Sequence, residues 1–223
     1  MNAWVKYNLP GDDCDNLLRI KFVENSKPNY KYCDVGACNG VITSFFKVMA
    51  GDNGFVYSFE LNKYNYENIK HLNSNNCIVE NLAISDKSGT VDIYSDSYNP
   101  GNHISNIIGH DTAYRKMNVI GSINSISLDE YFNDKDIDVI KIDVEGAELK
   151  VIQGAINTLK KCKYAIIECH FKSDWEQIFN ILKSNNLNFK NLVDDVPIYY
   201  GDTIPKSGIS DNGMPYQIYL KNN

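Results

Sequence analysis

The chain alternates short, nearly continuous apolar runs with segments whose apolar residues recur every three or four positions. The first apolar run, residues 32–35, leads into a glycine-containing turn at 36–40. A helix is predicted over 41–50, with Val41, Phe45, Val48 and Met49 at helical spacing. A strand at 55–60, a helix at 64–73 and a third strand at 77–83 follow. Asp86-Lys87-Ser88-Gly89 reads as the tip of a hairpin between 81–85 and 91–94. Residues 137–144 are almost continuously apolar, as a central parallel strand should be. One amphipathic helix is predicted over 147–161, through Leu149, Ile152, Ala155, Ile156 and Leu159. A fifth strand at 164–169, a helix at 175–184 and strand-like segments near 189–193, 198–200 and 217–220 complete the pattern. Helices between apolar strands imply a parallel sheet covered on both faces, and the closing run of strands adds an antiparallel edge. The fold class expected is α/β, a doubly wound sheet with a closing hairpin.

Residues 95–122 are the least regular, with Pro100, Gly101, Gly109 and Gly121, and a loop of that length is expected to serve the substrate. Residues 1–29 form a polar, turn-rich lead-in. At 223 residues the chain fits a single domain over 1–223, and 43% hydrophobic residues are enough for a real core. No apolar run is long enough to span a membrane, and the first ten residues lack the apolar core of a signal peptide. The six cysteines contain no CxxC pair, so free buried thiols in a reducing compartment are expected. The setting is therefore taken as cytoplasmic. A net charge of −6 weighs against a nucleic-acid partner. Lys160, Lys161 and Lys163 form the basic cluster, and they fit the end of a helix.

The chemistry begins at Asp34-Val35-Gly36-Ala37-Cys38-Asn39-Gly40, where the first strand meets the first helix. Ligands of open α/β sheets bind outside the carboxyl ends of the strands. The turn is not the three-glycine dinucleotide fingerprint, because Cys38 stands where that motif has glycine. Asp34 would present a carboxylate to an amino group in the crevice. Glu60 ends the second strand, where an acid can take both hydroxyls of an adenosine ribose. Asn81 to Ala83 would then lie beside the adenine. A cofactor without a pyrophosphate, such as S-adenosylmethionine, fits this set.

With these residues the chain resembles FkbM-type methyltransferases. The resemblance runs through Asp34-Val35-Gly36-Ala37, Asn39-Gly40, Phe59-Glu60, Asn81-Leu82-Ala83-Ile84-Ser85-Asp86 with Gly89, and Ser127-Leu128-Asp129. Its most specific part is Ile140-Lys141-Ile142-Asp143-Val144-Glu145-Gly146-Ala147-Glu148, followed by Gly154-Ala155 and Ile166-Ile167-Glu168. It covers roughly residues 30 to 170. It implies a Rossmann-like class I methyltransferase fold: a mostly parallel seven-stranded sheet, helices on both faces and an antiparallel C-terminal edge hairpin. It further implies methyl transfer from S-adenosyl-L-methionine, leaving S-adenosyl-L-homocysteine, commonly to a hydroxyl of a sugar or natural product. The cofactor contacts it implies are Asp34, Gly36, Ala37, Asn39, Gly40 and Glu60, extended here to Leu61, Asn81, Ala83 and Asp143.

In-line methyl transfer must align an acceptor oxygen and accept its proton. Asp143 and Glu145 follow the fourth strand at i and i+2, so both carboxylates are expected to face one site. Asp143 would hold the methionine end of the cofactor or the substrate, and Glu145 substrate hydroxyls or the proton. Glu148 is expected to act as a helix N-terminal charge. His170, two residues after Glu168, is a candidate base, with His103 and His110 as rivals and His71 structural. Asp143, Glu145, Glu168 and His170 also form an oxygen-rich set for a divalent metal, which nothing in the spacing demands, and none is predicted. The partner expected is a small molecule or glycan. Rival readings are an NAD-dependent oxidoreductase, a non-catalytic methyltransferase-like module, and an RNA or protein methyltransferase. The first lacks the fingerprint. The second would not need to keep polar crevice residues.

Overall fold

The computed structural model describes residues 26–96, 107–108, 117–169, 172–191 and 216–221. Five parallel strands form the centre: β1 (Lys31–Val35), β2 (Phe55–Phe59), β3 (Cys77–Glu80), β8 (Val139–Ile142) and β9 (Tyr164–Cys169). Four further strands lie between β3 and β8 in sequence: β4 (Ala83–Ile84), β5 (Gly89–Asp96), β6 (Ile107–Ile108) and β7 (Met117–Ile126). With β10 (Phe189–Asn191) and β11 (Tyr216–Lys221) the main sheet has seven strands in the order β10-β11-β9-β8-β1-β2-β3. β11 is antiparallel to both of its neighbours. β10 and β11 are thus the antiparallel pair expected at the C-terminal edge, with β10 outermost and β11 joining it to β9. The segment near 198–200 lies outside the described residues.

The core divides by the two-residue period of the strands. Cys33, Val35, Phe59, Ile140, Ile142 and Ile167 pack on one face, while Tyr32, Val56, Val139 and Ile166 pack on the other. The second face carries α1 (Val41–Ala50), which buries Ile42, Thr43, Phe46 and Ala50. Of the stripe Val41, Phe45, Val48 and Met49 read from the sequence, Val41 (40% exposed) and Val48 (79% exposed) face outward, while Phe45 and Met49 are half-buried at the margin of the core. Both stripes have helical spacing, and Tyr32, 4.9 Å from Phe46 between ring centres, shows which one meets the sheet. α2 (Lys63–Ile69) is capped by Asn62, whose side chain accepts from the Tyr64 and Asn65 amides, and it tightens into a 3-10 turn at Lys70–Leu72.

The first face carries α3 (Leu128–Phe132), α4 (Glu148–Gln153), α5 (Ile156–Lys161) and α6 (Lys172–Ser184). The single helix expected over 147–161 is broken at Gly154. A Cβ there would meet the Ser85 carbonyl at 2.4 Å and the Ser127 Cβ at 2.7 Å. The second half is restarted from outside: Asp129 accepts from the Asn157 amide (3.0 Å), the Thr158 amide (2.7 Å) and the Thr158 hydroxyl (2.7 Å). A carboxylate 28 residues away thus supplies the N-cap that the local sequence lacks. Replacing Asp129 with Ala is expected to cost about 1–2 kcal/mol, read as a lower urea midpoint at unchanged slope. An unchanged midpoint would show that solvent serves those amides equally well.

A second sheet has the order β4-β7-β5-β6. The hairpin expected around residues 86–89 does not close on itself. β7 lies between its arms, parallel to β4 and antiparallel to β5. Consequently the third strand ends at Glu80 instead of running to Ala83, and the chain changes sheets there. β7 also takes the last six residues of the irregular stretch expected at 95–122 into a strand. Residues 97–106 and 109–116 of that stretch lie outside the described residues. Among the described residues, no helix is long and apolar enough to cross a membrane.

Candidate functional site

β1 pairs with β2 on one side and β8 on the other, so the chain reverses its direction of winding between β1 and β8. Beyond that point lies a cleft lined by Val35, Gly36, Cys38, Phe59, Glu60 and Leu61, continued by Asn65, by Leu82, Ala83 and Ile84, and by Asp143, Val144 and Glu145. Its place is the one expected for a ligand of a doubly wound sheet.

The turn after β1 spends its amides on the protein. Those of Gly36 and Ala37 both donate to the Phe59 carbonyl at 3.0 Å, and that of Gly40 donates to the Ala37 carbonyl at 2.7 Å. The Cys38 amide donates to Glu60 Oε2 at 2.7 Å, and that of Val41 to Asn39 Oδ1 at 3.2 Å. Glu60 also accepts from the Asn62 amide at 2.7 Å. Burial pushes its carboxyl above the usual carboxylate range, against the pull of these two amides, Lys141 and the Asn65 side chain. Asn81 fixes the same strand end, donating to the carbonyls of Glu60 (2.8 Å) and Leu61 (3.1 Å).

On the opposite wall the chain leaves β8 in a tight turn. Glu145 has φ +53° and Gly146 φ +107°, so the extended geometry assumed for 143–145 does not hold, although both carboxylates still line the cleft. A side chain held in the left-handed region at a cleft is strain that the surroundings must maintain. Glu148 does so from within: it is buried, and its Oε1 accepts from the amides of Gly146 (3.0 Å) and Val144 (3.4 Å). It is a brace for the turn as well as a helix-end charge.

Beneath the cleft runs a buried polar row across three adjacent strands, with Ser58, Asp34 and Lys141 in register. Thr43 of α1 donates to Asp34 Oδ2 at 2.7 Å and lies 2.8 Å from the Ser58 hydroxyl. The Lys141 ammonium donates to the Gly36 carbonyl at 2.6 Å and stands 3.3 Å from Asp34 Oδ1 and 3.5 Å from Asp143 Oδ2. Burial alone would lower the lysine, but Asp143 and Asp34 outweigh it and hold the group charged well above its ordinary range. Burial raises the Asp34 carboxyl, opposed by Lys141 and Thr43.

Of the residues singled out in the sequence, Gly36, Glu60, Leu61, Ala83, Asp143 and Glu145 line the cleft. Asp34 does not: it is fully buried, with Lys141 and Thr43 against its carboxylate. Ala37, Asn39, Gly40 and Asn81 are not among the lining residues: Asn39 is exposed, and Gly40 packs against Ile69 and Leu72. His170, His103 and His110 lie outside the described residues. His71 is exposed, its Nδ1 2.8 Å from the Asn68 carbonyl. Among the described residues, no three His, Cys, Asp or Glu side chains gather to hold a metal, so Asp143, Glu145 and Glu168 do not form that set on their own. Lys141, Thr43, Ser58 and Asn65 were missed. Lys141 had a signal: a lysine inside a strand apolar on both faces has to be buried and therefore paired.

A family model described as the methyltransferase FkbM domain matches residues 34–190. The hexuronic acid methyltransferase AglP of Haloferax volcanii is 33% identical over 70 residues, which are 30% of this chain and 29% of that protein. The structure of an FkbM methyltransferase from Methylobacillus flagellatus superposes with a TM-score of 0.55 at 14% identity, over 94% of this chain and 55% of that one. A putative rRNA-methylase from Clostridium thermocellum gives 0.55 at 11% identity, over 96% and 97%. The match thus spans under a third of the curated relative and about half of the Methylobacillus protein. The two structures have the same Rossmann-like fold.

Proposed function

The chain belongs to the FkbM methyltransferase family, and from that membership we propose that it moves a methyl group from S-adenosyl-L-methionine to a hydroxyl of a carbohydrate or other small molecule. The observation that carries the cofactor is the character of the cleft. Its lining holds three carboxylates, Glu60, Asp143 and Glu145, and no Lys, Arg or His among the described residues. The turn amides that would cradle a pyrophosphate are already spent. Such a cleft repels a dinucleotide and attracts a ligand of net positive charge. This disfavours the oxidoreductase reading.

S-adenosylmethionine supplies a methyl group on a sulfonium, which an attacking oxygen displaces in line. Glu60 would take the ribose hydroxyls, with Leu82, Ala83 and Ile84 as the apolar wall for the adenine. Asp143 would hold the amino group. Glu145, which lines the cleft, would orient the acceptor hydroxyl and take its proton. A glycan acceptor is supported by the relative named for a hexuronic acid. Cys33, Cys77, Cys162 and Cys169 are buried and unbridged, which supports a reducing, cytoplasmic setting.

Isothermal titration tests the cofactor. Both sulfur nucleosides are expected to bind in the micromolar range, about −8 kcal/mol, and NAD not at all. Glu60→Ala should weaken both by roughly 10- to 100-fold, the loss of hydrogen bonds to a charged acceptor. Because burial raises the Glu60 carboxyl, affinity should fall on acidification before an ordinary carboxylate would titrate. A carboxyl raised in the fold contributes stability that is lost as pH rises through its folded pKa, so over this window affinity and stability move oppositely. Binding of NAD would overturn the cofactor assignment. Binding of neither class would leave a non-catalytic module. Labelled-methyl transfer to uronate-containing glycans, with neutral glycans beside them, then reads the acceptor class.

A further inference from the structure

We propose that Lys141 is a positioning residue that ties the two walls of the cleft together, and that with Asp34 and Asp143 it makes the site prefer the sulfonium cofactor over its thioether product. The inference rests on the cofactor reading above. A lysine ammonium has three N–H donors; here one makes a hydrogen bond, to the Gly36 carbonyl in the turn after β1, and two carboxylates, Asp34 and Asp143, stand at ion-pair distance. Gly36 and Asp143 stand on opposite walls of the switch-point cleft, so one buried ammonium sets the gap between them.

The same geometry fixes a charge. Asp34, Lys141 and Asp143 together carry one negative charge, and it is displayed unequally: the Asp34 side chain is fully buried, while that of Asp143 is 28% exposed toward the cleft. With Glu145 nearby, the methyl-donor end of the cleft is net acidic. S-adenosylmethionine carries one more positive charge than S-adenosylhomocysteine, at the sulfur. A negative site therefore holds the reactant more tightly than the product and eases product release after each transfer.

Two variants separate the tie from the charge. Asp34→Asn keeps the lysine and brings the three-residue charge from −1 to 0, as Lys141 and Asp143 cancel. The double variant Asp34→Asn/Lys141→Met removes the tie while Asp143 alone keeps the charge at −1, and it strands no buried partner. Titrations of both nucleosides into the full chain should show the reactant-to-product preference falling about tenfold in Asp34→Asn, the effect of one unit charge at close range. In the double variant the preference should persist while both ligands weaken. Equal loss for both ligands in Asp34→Asn, or native affinity in the double variant, would overturn the proposal while leaving the cofactor reading intact. Failure of the native chain to bind either nucleoside would overturn both.

Discussion

Gly36→Ala is expected to remove cofactor binding and to be the most destabilising single-methyl addition in the described chain. A Cβ at this position would sit 1.8 Å from the Asp143 carbonyl oxygen and 2.9 Å from its carbon. Those atoms are backbone, anchored by the Asp143 amide donating to Val35 at 3.1 Å, so they cannot swing aside as a side chain would. The walls of the cleft would have to part by more than an ångström, breaking the β1–β8 pairing at its end. A cost above about 4 kcal/mol follows, in the range kept for severe strain or overpacking. Gly51→Ala separates the backbone contribution. Gly51 has φ +62°, close to the +83° of Gly36, yet nothing lies within 4 Å of its Cβ position. With ψ −163° Gly51 lies in a backbone region kept for glycine, so it should lose about 1–3 kcal/mol of backbone strain and nothing to a clash. Equal thermal melts for the two variants would mean that the turns do not approach as closely as described.

Lys141→Met, made alone, should destabilise the protein by about 3–5 kcal/mol, because it leaves the Asp34 carboxylate buried without its cation. For a chain of this size that corresponds to a fall in melting temperature of roughly 6–20 °C. Asp34→Asn in the same background should recover much of it, since a buried amide costs far less than a buried charge. Calorimetry of the four forms gives the coupling directly. No recovery in the double variant would show that Lys141 acts through its methylenes and its bond to Gly36 alone. The sign with pH is fixed by the raised lysine. Its contribution is complete below the unfolded lysine pKa and is lost only as pH rises through the higher folded value, so the pair should resist alkali.

The positions of Gly36, Glu60 and Asp143 were legible because they depend on little beyond strand order. Once strands and helices alternate, the residues at strand ends around the reversal of winding are fixed by topology. Asp34 lies off the cleft lining for a local reason. Side chains alternate along a strand, and position 34 belongs to the face covered by α1, whereas only the residues past the strand's end open to the cleft. The two faces of α1 show a different limit. Val41, Phe45, Val48, Met49 and Ile42, Phe46, Ala50 are both apolar stripes, and only the neighbouring sheet decides between them. The break at Gly154 and the insertion of β7 were illegible for a third reason. Each is dictated by a partner distant in the chain, Asp129 in the first case and a strand some forty residues on in the second.

The cleft is assembled from four stretches of chain, at residues 35–38, 59–65, 82–84 and 143–145. The third is held in place by β7, and the first is joined to the fourth across more than a hundred residues. A ribosome making this protein therefore exposes the glycine turn and Glu60 long before the cleft can close around them. Nascent chains ending short of β8 would carry three of those stretches without the strand that closes the cleft over them. Cofactor present during synthesis would then act on the last steps of folding alone, trapping the closed sheet after β8 has docked beside β1 and leaving the earlier collapse untouched.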